Sequence, residues 1–245
     1  MHALIINGSP RIKKYSNTDK ILSRFTEGMK ESGATWELFE VSDRQQWDTM
    51  RDAFFRSEHI LIALPLFFEC IPGLLLEFLE TLPVPEKLST PNTEKLSDPM
   101  CEKHCNNVTK IEFSASAPTL SFLLQGGFSE GIQLRCCEAY LEILAERLGC
   151  RYGGTLVKGD NFGIRFDESQ RERVTTPYQK MGRIYGRDGV LTDEECRKFT
   201  GPEVFPAYIR VLVGVLFKGV VKKGFEKMAA DWGCKRPLND RPYES

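Results

Sequence analysis

Short blocks of continuous apolar residues alternate along this chain with longer segments in which apolar residues recur every three or four positions. The first block, Ala3-Leu4-Ile5-Ile6, reads as a buried strand and is broken by Asn7-Gly8-Ser9-Pro10. From Asn17 to Gly33 the residues Ile21, Leu22, Phe25 and Met29 share one helical face, and Gly33 supplies a stop. Trp36, Leu38, Phe39 and Val41 predict a second strand, and Asp43 to Arg56 a helix with Trp47, Met50, Phe54 and Phe55 inward. Ile60-Leu61-Ile62-Ala63-Leu64 is apolar at every position, as a central parallel strand covered on both faces must be, and Pro65 ends it. Pro72 opens a helix carrying Leu75, Phe78, Leu79 and Leu82. Leu120 to Leu124 is the next core strand, closed by Gly126-Gly127. The following helix runs to Leu148, with Cys137, Tyr140, Leu141, Leu144 and Leu148 inward and Gly149 as C-cap, before a final strand at Thr155-Leu156-Val157.

Strands alternating with helices predict an α/β fold: a doubly wound, five-stranded parallel sheet in the order 2-1-3-4-5. Residues 1–160 are expected to form this domain, with the polar stretch 83–118 as an insertion or lid and 161–245 as a helical extension. Lys110 to Phe113 reads as a short strand inside the insertion. In the extension, Thr192-Asp193-Glu194-Glu195 is a capping-box pattern. Ala207 to Val221 is apolar nearly all round and predicts a buried helix. That run is too short for a membrane span and contains Arg210 and Lys218.

Composition narrows the classes without choosing among enzymes. Lys plus Arg is 33 and Asp plus Glu 34, so no bulk basicity is present to hold nucleic acid or an anionic membrane. The 8 cysteines are too sparse for a disulfide scaffold, and no charged segment followed by an apolar run marks a secretory leader at the amino end. A reducing, cytoplasmic setting with free thiols is expected.

In an open parallel sheet, ligands bind outside the carboxyl ends of the strands, where the strand order reverses. The first such loop, Asn7 to Thr18, offers hydroxyls at Ser9, Ser16 and Thr18, an amide at Asn17 and cations at Arg11, Lys13 and Lys14. Free N–H groups at a helix start, hydroxyl donors and a guanidinium are what a phosphate monoester needs. The same residues also suit a solvated turn whose Ser or Asn caps the helix. Neither the GxxxxGK[ST] phosphate loop nor the GxGxxG dinucleotide fingerprint is present.

Leu4-Ile5-Ile6-Asn7-Gly8-Ser9-Pro10-Arg11 with Ser16-Asn17-Thr18 resembles the phosphate loop of the flavodoxin-like NAD(P)H-dependent FMN reductases. Leu64-Pro65-Leu66-Phe67-Phe68-Glu69-Cys70-Ile71-Pro72-Gly73-Leu74-Leu75 is similar to the family's proline–aromatic loop and the helix after it. Leu124-Gln125-Gly126-Gly127-Phe128 is a third likeness. The resemblance covers residues 1–160; the tail ending Asp240-Arg241-Pro242-Tyr243 resembles a subgroup only loosely. It implies a flavodoxin-like fold with FMN as cofactor and NAD(P)H as co-substrate. Ser9, Arg11, Ser16, Asn17 and Thr18 would hold the phosphate. Pro65, Leu66, Phe67 and Phe68 would wrap one side of the ring, with Gly126, Gly127 and Phe128 approaching from the other.

The implied function is hydride transfer through flavin N5 to a quinone, a nitro or azo aromatic, free flavin or a similar acceptor. The cofactor carries that chemistry, so no catalytic side chain is expected. His2 and His59 sit at strand starts, at the far end of the sheet from this site. A homodimer is implied, with 83–118 and the 207–221 helix as contact segments. A flavodoxin-type electron carrier and a flavin-free binding module are the alternatives, the near-neutral charge weighing against the first. Cys101, His104 and Cys105 lack the four-ligand spacing of a closed metal site, and no metal is expected.

Overall fold

The computed structural model describes residues 1–67, 69–83, 117–165, 168–237 and 239–241. The chain divides into two compact units, Met1–Glu203 and Val204–Ser245.

The first unit is built on five parallel strands: β1 (His2–Asn7), β2 (Thr35–Glu40), β3 (His59–Pro65), β4 (Thr119–Gln125) and β5 (Arg151–Lys158). Their order is β2-β1-β3-β4-β5, as the alternation predicts. The register pairs Ile5 with Leu61 and Ile62 with Phe122, so the apolar blocks of the central strands lie side by side. Alternate residues of those strands feed two cores. Leu4, Ile6, Ile60, Ile62, Leu120, Phe122 and Leu124 face α2 (Trp47–Arg56), α3 (Gly73–Glu80) and α4 (Ile132–Arg147). Ala3, Ile5, Leu61, Ala63, Leu123 and Leu156 face α1 (Asn17–Glu31) and α5 (Glu168–Asp188). Burial on both faces explains why these strands are apolar throughout.

Helices α1 and α5 approach closely because each has a glycine at the crossing. A Cβ on Gly28 would lie 1.9 Å from Gln179 O, and one on Gly182 would lie 1.8 Å from Phe25 O. Tyr178 of α5 is fully buried in the same core as Ile21, Leu22 and Phe25 of α1. Gly33 (φ +78°) and Gly149 (φ +73°) end α1 and α4 in the left-handed conformation, as their positions predict.

Residues 161–203, read from sequence as part of the extension, pack into this first unit. Several local expectations shift. Phe55 and Tyr140 are exposed, because Phe54, Cys137 and Leu141 occupy the inward stripes of their helices. The short helix α6 (Glu194–Phe199) is capped by Asp193, whose carboxylate accepts from Glu195 N at 2.7 Å, and not by Thr192.

In the second unit, α7 (Ala207–Leu216), a π-helical turn (Phe217–Val221) and α8 (Lys222–Asp231) run on as one helical stretch. No residue of α7 or α8 is buried, and Tyr208, Val211, Val215 and Phe217 are exposed. Within this unit the apolar face of 207–221 is therefore uncovered, because a helix needs a second layer against that face and one helical stretch supplies none. No described helix is long and apolar enough to cross a membrane. The expected strand at Lys110–Phe113 and nearly all of the 83–118 insertion lie outside the described residues.

Candidate functional site

The loop after β1 begins as an extension of the ladder, Gly8 N donating to Ala63 O at 2.8 Å. A Cβ on Gly8 would lie 2.7 Å from Leu75 Cδ2 and 3.2 Å from Ala63 O, so a larger residue here would have to push Leu75 and the β3 backbone aside. Asn7 Oδ1 then accepts from Ser9 N at 3.1 Å, and the buried Ser9 Oγ accepts from Arg11 N at 3.3 Å. Arg11 is exposed, and its guanidinium carbon stands 5.8 Å from the Phe67 ring centre, joining the first loop to the one after β3.

Ser16 is the N-cap of α1 and accepts from Asp19 N at 3.1 Å. Asn17 and Thr18 come next, and helix geometry leaves their N–H groups without an intrahelical acceptor. The start of α4 contrasts with this. Its N–H groups at Gly131 and Ile132 donate to Pro202 O and Glu203 O at 3.0 and 3.1 Å, and Arg135 holds Glu203 in place. Of these two helix starts facing the carboxyl edge, α4 is closed by the chain's own carbonyls and α1 is not. Asp19 sits in the first turn of α1, and burial raises its carboxyl above the ordinary value despite Lys13 and Lys20 nearby.

After β3, Leu66 N donates to Gln125 O at 2.8 Å, and Phe67 and Cys70 exchange two main-chain bonds of 2.9 Å. Glu69 closes this tight loop with φ +64°. Pro65 is the last residue of β3 and is buried; Leu66 and Phe67 are half-buried. Phe68 lies outside the described residues, as do Cys101, His104 and Cys105. Among the described residues no cluster of histidine, cysteine and acidic side chains is arranged for a metal ion.

After β4, Gly126 is buried and Gly127 and Phe128 are exposed, Phe128 to 72%. Gly126 N donates to Lys158 O at 2.9 Å, and Asp160 N to Phe128 O at 2.9 Å. These bonds tie the glycine turn to a fourth loop, after β5, that the sequence reading left out. Its central residue is Asn161, fully buried. Asn161 N donates to Gly126 O at 3.1 Å and its Nδ2 to Lys158 O at 2.9 Å. Its Oδ1 accepts from the Tyr178 hydroxyl at 3.2 Å, and its carbonyl accepts from Asn17 Nδ2 at 2.8 Å. Burial drives the Tyr178 hydroxyl far above its ordinary pKa, so it acts as a fixed donor and not as an acid. Gln125, at the end of β4, donates to Thr18 Oγ1 at 3.3 Å. Gln125, a polar residue ending the buried strand β4, was the available signal.

The residues predicted from sequence thus gather at one edge of the sheet: Ser9, Arg11, Ser16, Asn17 and Thr18 after β1, Pro65 to Phe67 after β3, and Gly126 to Phe128 after β4. One of these groups is left unsatisfied by the protein. Asn17 Oδ1 is buried and has no hydrogen-bond partner. The open turn of α1, the buried hydroxyls beside it and the glycine loop fit a phosphorylated, hydroxyl-bearing aromatic cofactor. By contrast, a cavity of about 340 Å³ lies at the opposite edge, lined by Met1, His2, Glu37, Arg56, Ser57, Glu58 and His59, and no motif falls there.

Residues 1–98 match the model of the NADPH-dependent FMN reductase family. The match spans the first two of the three motifs and supports an NAD(P)H-dependent FMN oxidoreductase, with FMN as cofactor and NAD(P)H as co-substrate. None of the curated protein sequences matches the chain. Among solved structures, an FMN-dependent NADH-azoreductase from Bacillus anthracis str. Ames Ancestor, in complex with FMN, is similar over 76% of this chain and 98% of its own, at 14% identity and a TM-score of 0.52. An azoreductase from Bacillus anthracis str. Sterne gives 13% identity, the same two coverages and a TM-score of 0.51. A flavone reductase gives 17% identity over 77% of this chain and 64% of its own, with a TM-score of 0.50. At these identities the likeness is one of fold, the flavodoxin-like sheet.

Proposed function

We propose that this protein passes reducing equivalents from NAD(P)H to a small organic acceptor, a quinone or a nitro or azo aromatic, at the carboxyl edge of its sheet. When bound, FMN supplies the hydride chemistry at its N5. The chain's part is to bind, orient and enclose. The N–H groups of Asn17 and Thr18 and the hydroxyls of Ser9, Ser16 and Thr18 hold the phosphate, with Arg11 as its cation. Main-chain groups from Pro65 to Phe67 meet the polar edge of the ring, and the turn at Gly126-Gly127 leaves room for it, with Phe128 at the rim. No side chain here is asked to give or take a proton, so donor and acceptor use the same face in turn.

The observation that carries this reading is the buried amide oxygen of Asn17, awaiting a donor at the Ser16-capped start of α1 within a segment matching the reductase family. Two copies of the chain are proposed to close the cleft together, with the exposed apolar residues of α7 as contact surface. Steady-state oxidation of NADPH by the FMN-loaded protein with a benzoquinone, and separately with an azo dye, tests the proposal. Acceptor-dependent turnover is the expected result. Stoichiometric FMN binding with no oxidation of NADPH or NADH would reassign the chain to electron carriage.

A further inference from the structure

The amide of Asn17 is held one way round. Its Nδ2 donates to the main-chain carbonyl of Asn161 at 2.8 Å, and its Oδ1 is buried with no partner. Turning the amide over would set Oδ1 against that carbonyl, placing two acceptors at hydrogen-bond distance. Nor can Asn161 give way: it is fully buried and bonded to the glycine turn through Gly126, to β5 through Lys158 and to α5 through Tyr178. An oxygen fixed like this needs a donor. A phosphate dianion has none, and would face it acceptor to acceptor. A hydroxyl of a sugar-alcohol chain has one.

We propose that Asn17, locked by the main chain of Asn161, accepts a hydrogen bond from a ribityl hydroxyl of the cofactor, and that the phosphate is bound without it. The family resemblance groups Asn17 with the phosphate ligands; the direction of its amide separates it from them. The inference rests on the FMN reading above and assigns one residue within it to one part of the ligand. Asn161 is accordingly a positioning residue, acting through Asn17.

The test is a set of dissociation constants for FMN, riboflavin and lumiflavin, which carries a methyl group in place of the ribityl chain, measured by quenching of flavin fluorescence. Wild type, Asn17→Ala and Asn17→Ser are compared, with folding checked by circular dichroism. Loss of one hydrogen bond predicts weakening of about fivefold to tenfold. That loss should be equal for FMN and riboflavin and absent for lumiflavin. If Asn17→Ala does not fold, the same ratios are read from Asn17→Ser. Weakening confined to FMN overturns the inference and returns Asn17 to the phosphate, leaving the FMN reading intact. Equal weakening for all three ligands overturns it as well, since the effect would then not depend on the chain. A wild-type protein that binds none of the three removes the FMN reading and this inference together.

Discussion

The two edges of the sheet differ in a way that concavity alone would misjudge. At the amino edge lies a cavity of about 340 Å³ lined in part by paired polar groups, with His59 Nδ1 buried and without a hydrogen-bond partner. Arg56 pairs with both Glu37 oxygens at 2.9 and 2.8 Å, and His2 Nδ1 bonds Thr35 Oγ1 at 2.8 Å. At the carboxyl edge the four loops are tied to one another by short main-chain bonds, yet the Asn17 amide oxygen at the start of α1 waits for a donor. The first edge has room and one unpaired ring nitrogen away from every motif; the second has an unpaired amide oxygen among motif loops that hold one another in place. Rigid, incomplete polar groups are what a ligand completes.

Four experiments would break or sharpen this contrast. The largest effect is expected from replacing Ser16, Asn17 and Thr18 together by alanine. Losing about three ligand hydrogen bonds at about 1 kcal/mol each should weaken FMN binding on the order of a hundredfold. Loss of the Ser16 cap should cost about 1 kcal/mol of stability in a urea titration. Retention of stoichiometric FMN by this variant would show that the phosphate is bound elsewhere.

Next in size is Gly189→Ala at the amino edge. Gly189 has φ +71°, and a Cβ there would lie 2.5 Å from His59 Cε1. A cost of about 2 kcal/mol is expected in chemical denaturation, with the FMN dissociation constant unchanged. Coupled loss of FMN binding in a folded Gly189→Ala protein would argue that the two edges are not independent.

A smaller effect is a footprint. Cys70 in the Phe67–Cys70 loop is exposed, while burial pushes the Cys137 and Cys150 thiols up to about 12. Raised values mean less thiolate, so at pH 8 those two should resist alkylation in the folded protein, and their reactivity should climb only as pH approaches 12 or the chain unfolds. FMN should slow alkylation of Cys70 severalfold and leave the exposed Cys234 unaffected, as peptide mapping can show. The smallest effect belongs to Arg56→Ala. An exposed ion pair contributes about 0–1 kcal/mol, so stability should barely move and turnover not at all. A large loss of turnover would give the amino-edge cavity a role this account denies it.

The sheet was readable because its central strands are buried on both faces and announce themselves as unbroken apolar runs, and because proline and glycine punctuate them. The three motif loops were readable for the same reason: each follows such a run. What the sequence hid was contact across distance. Nothing adjacent to Asn161 marks it as the residue joining Gly126, Lys158, Tyr178 and Asn17, since the close crossing of α1 and α5 at Gly28 and Gly182 is what brings these together. Helix α7 misled in the opposite sense. An all-round apolar helix reads as buried, but burial depends on a second layer, which this helical unit does not supply by itself.

The most direct measurement is an equilibrium titration of the purified protein with FMN, followed by anaerobic addition of NADPH while the flavin absorbance is recorded. The account predicts saturation at one FMN per chain and bleaching of the bound flavin by NADPH, with the alanine triple variant failing to saturate at the same concentrations. Absence of saturable FMN binding by the wild-type protein would contradict it.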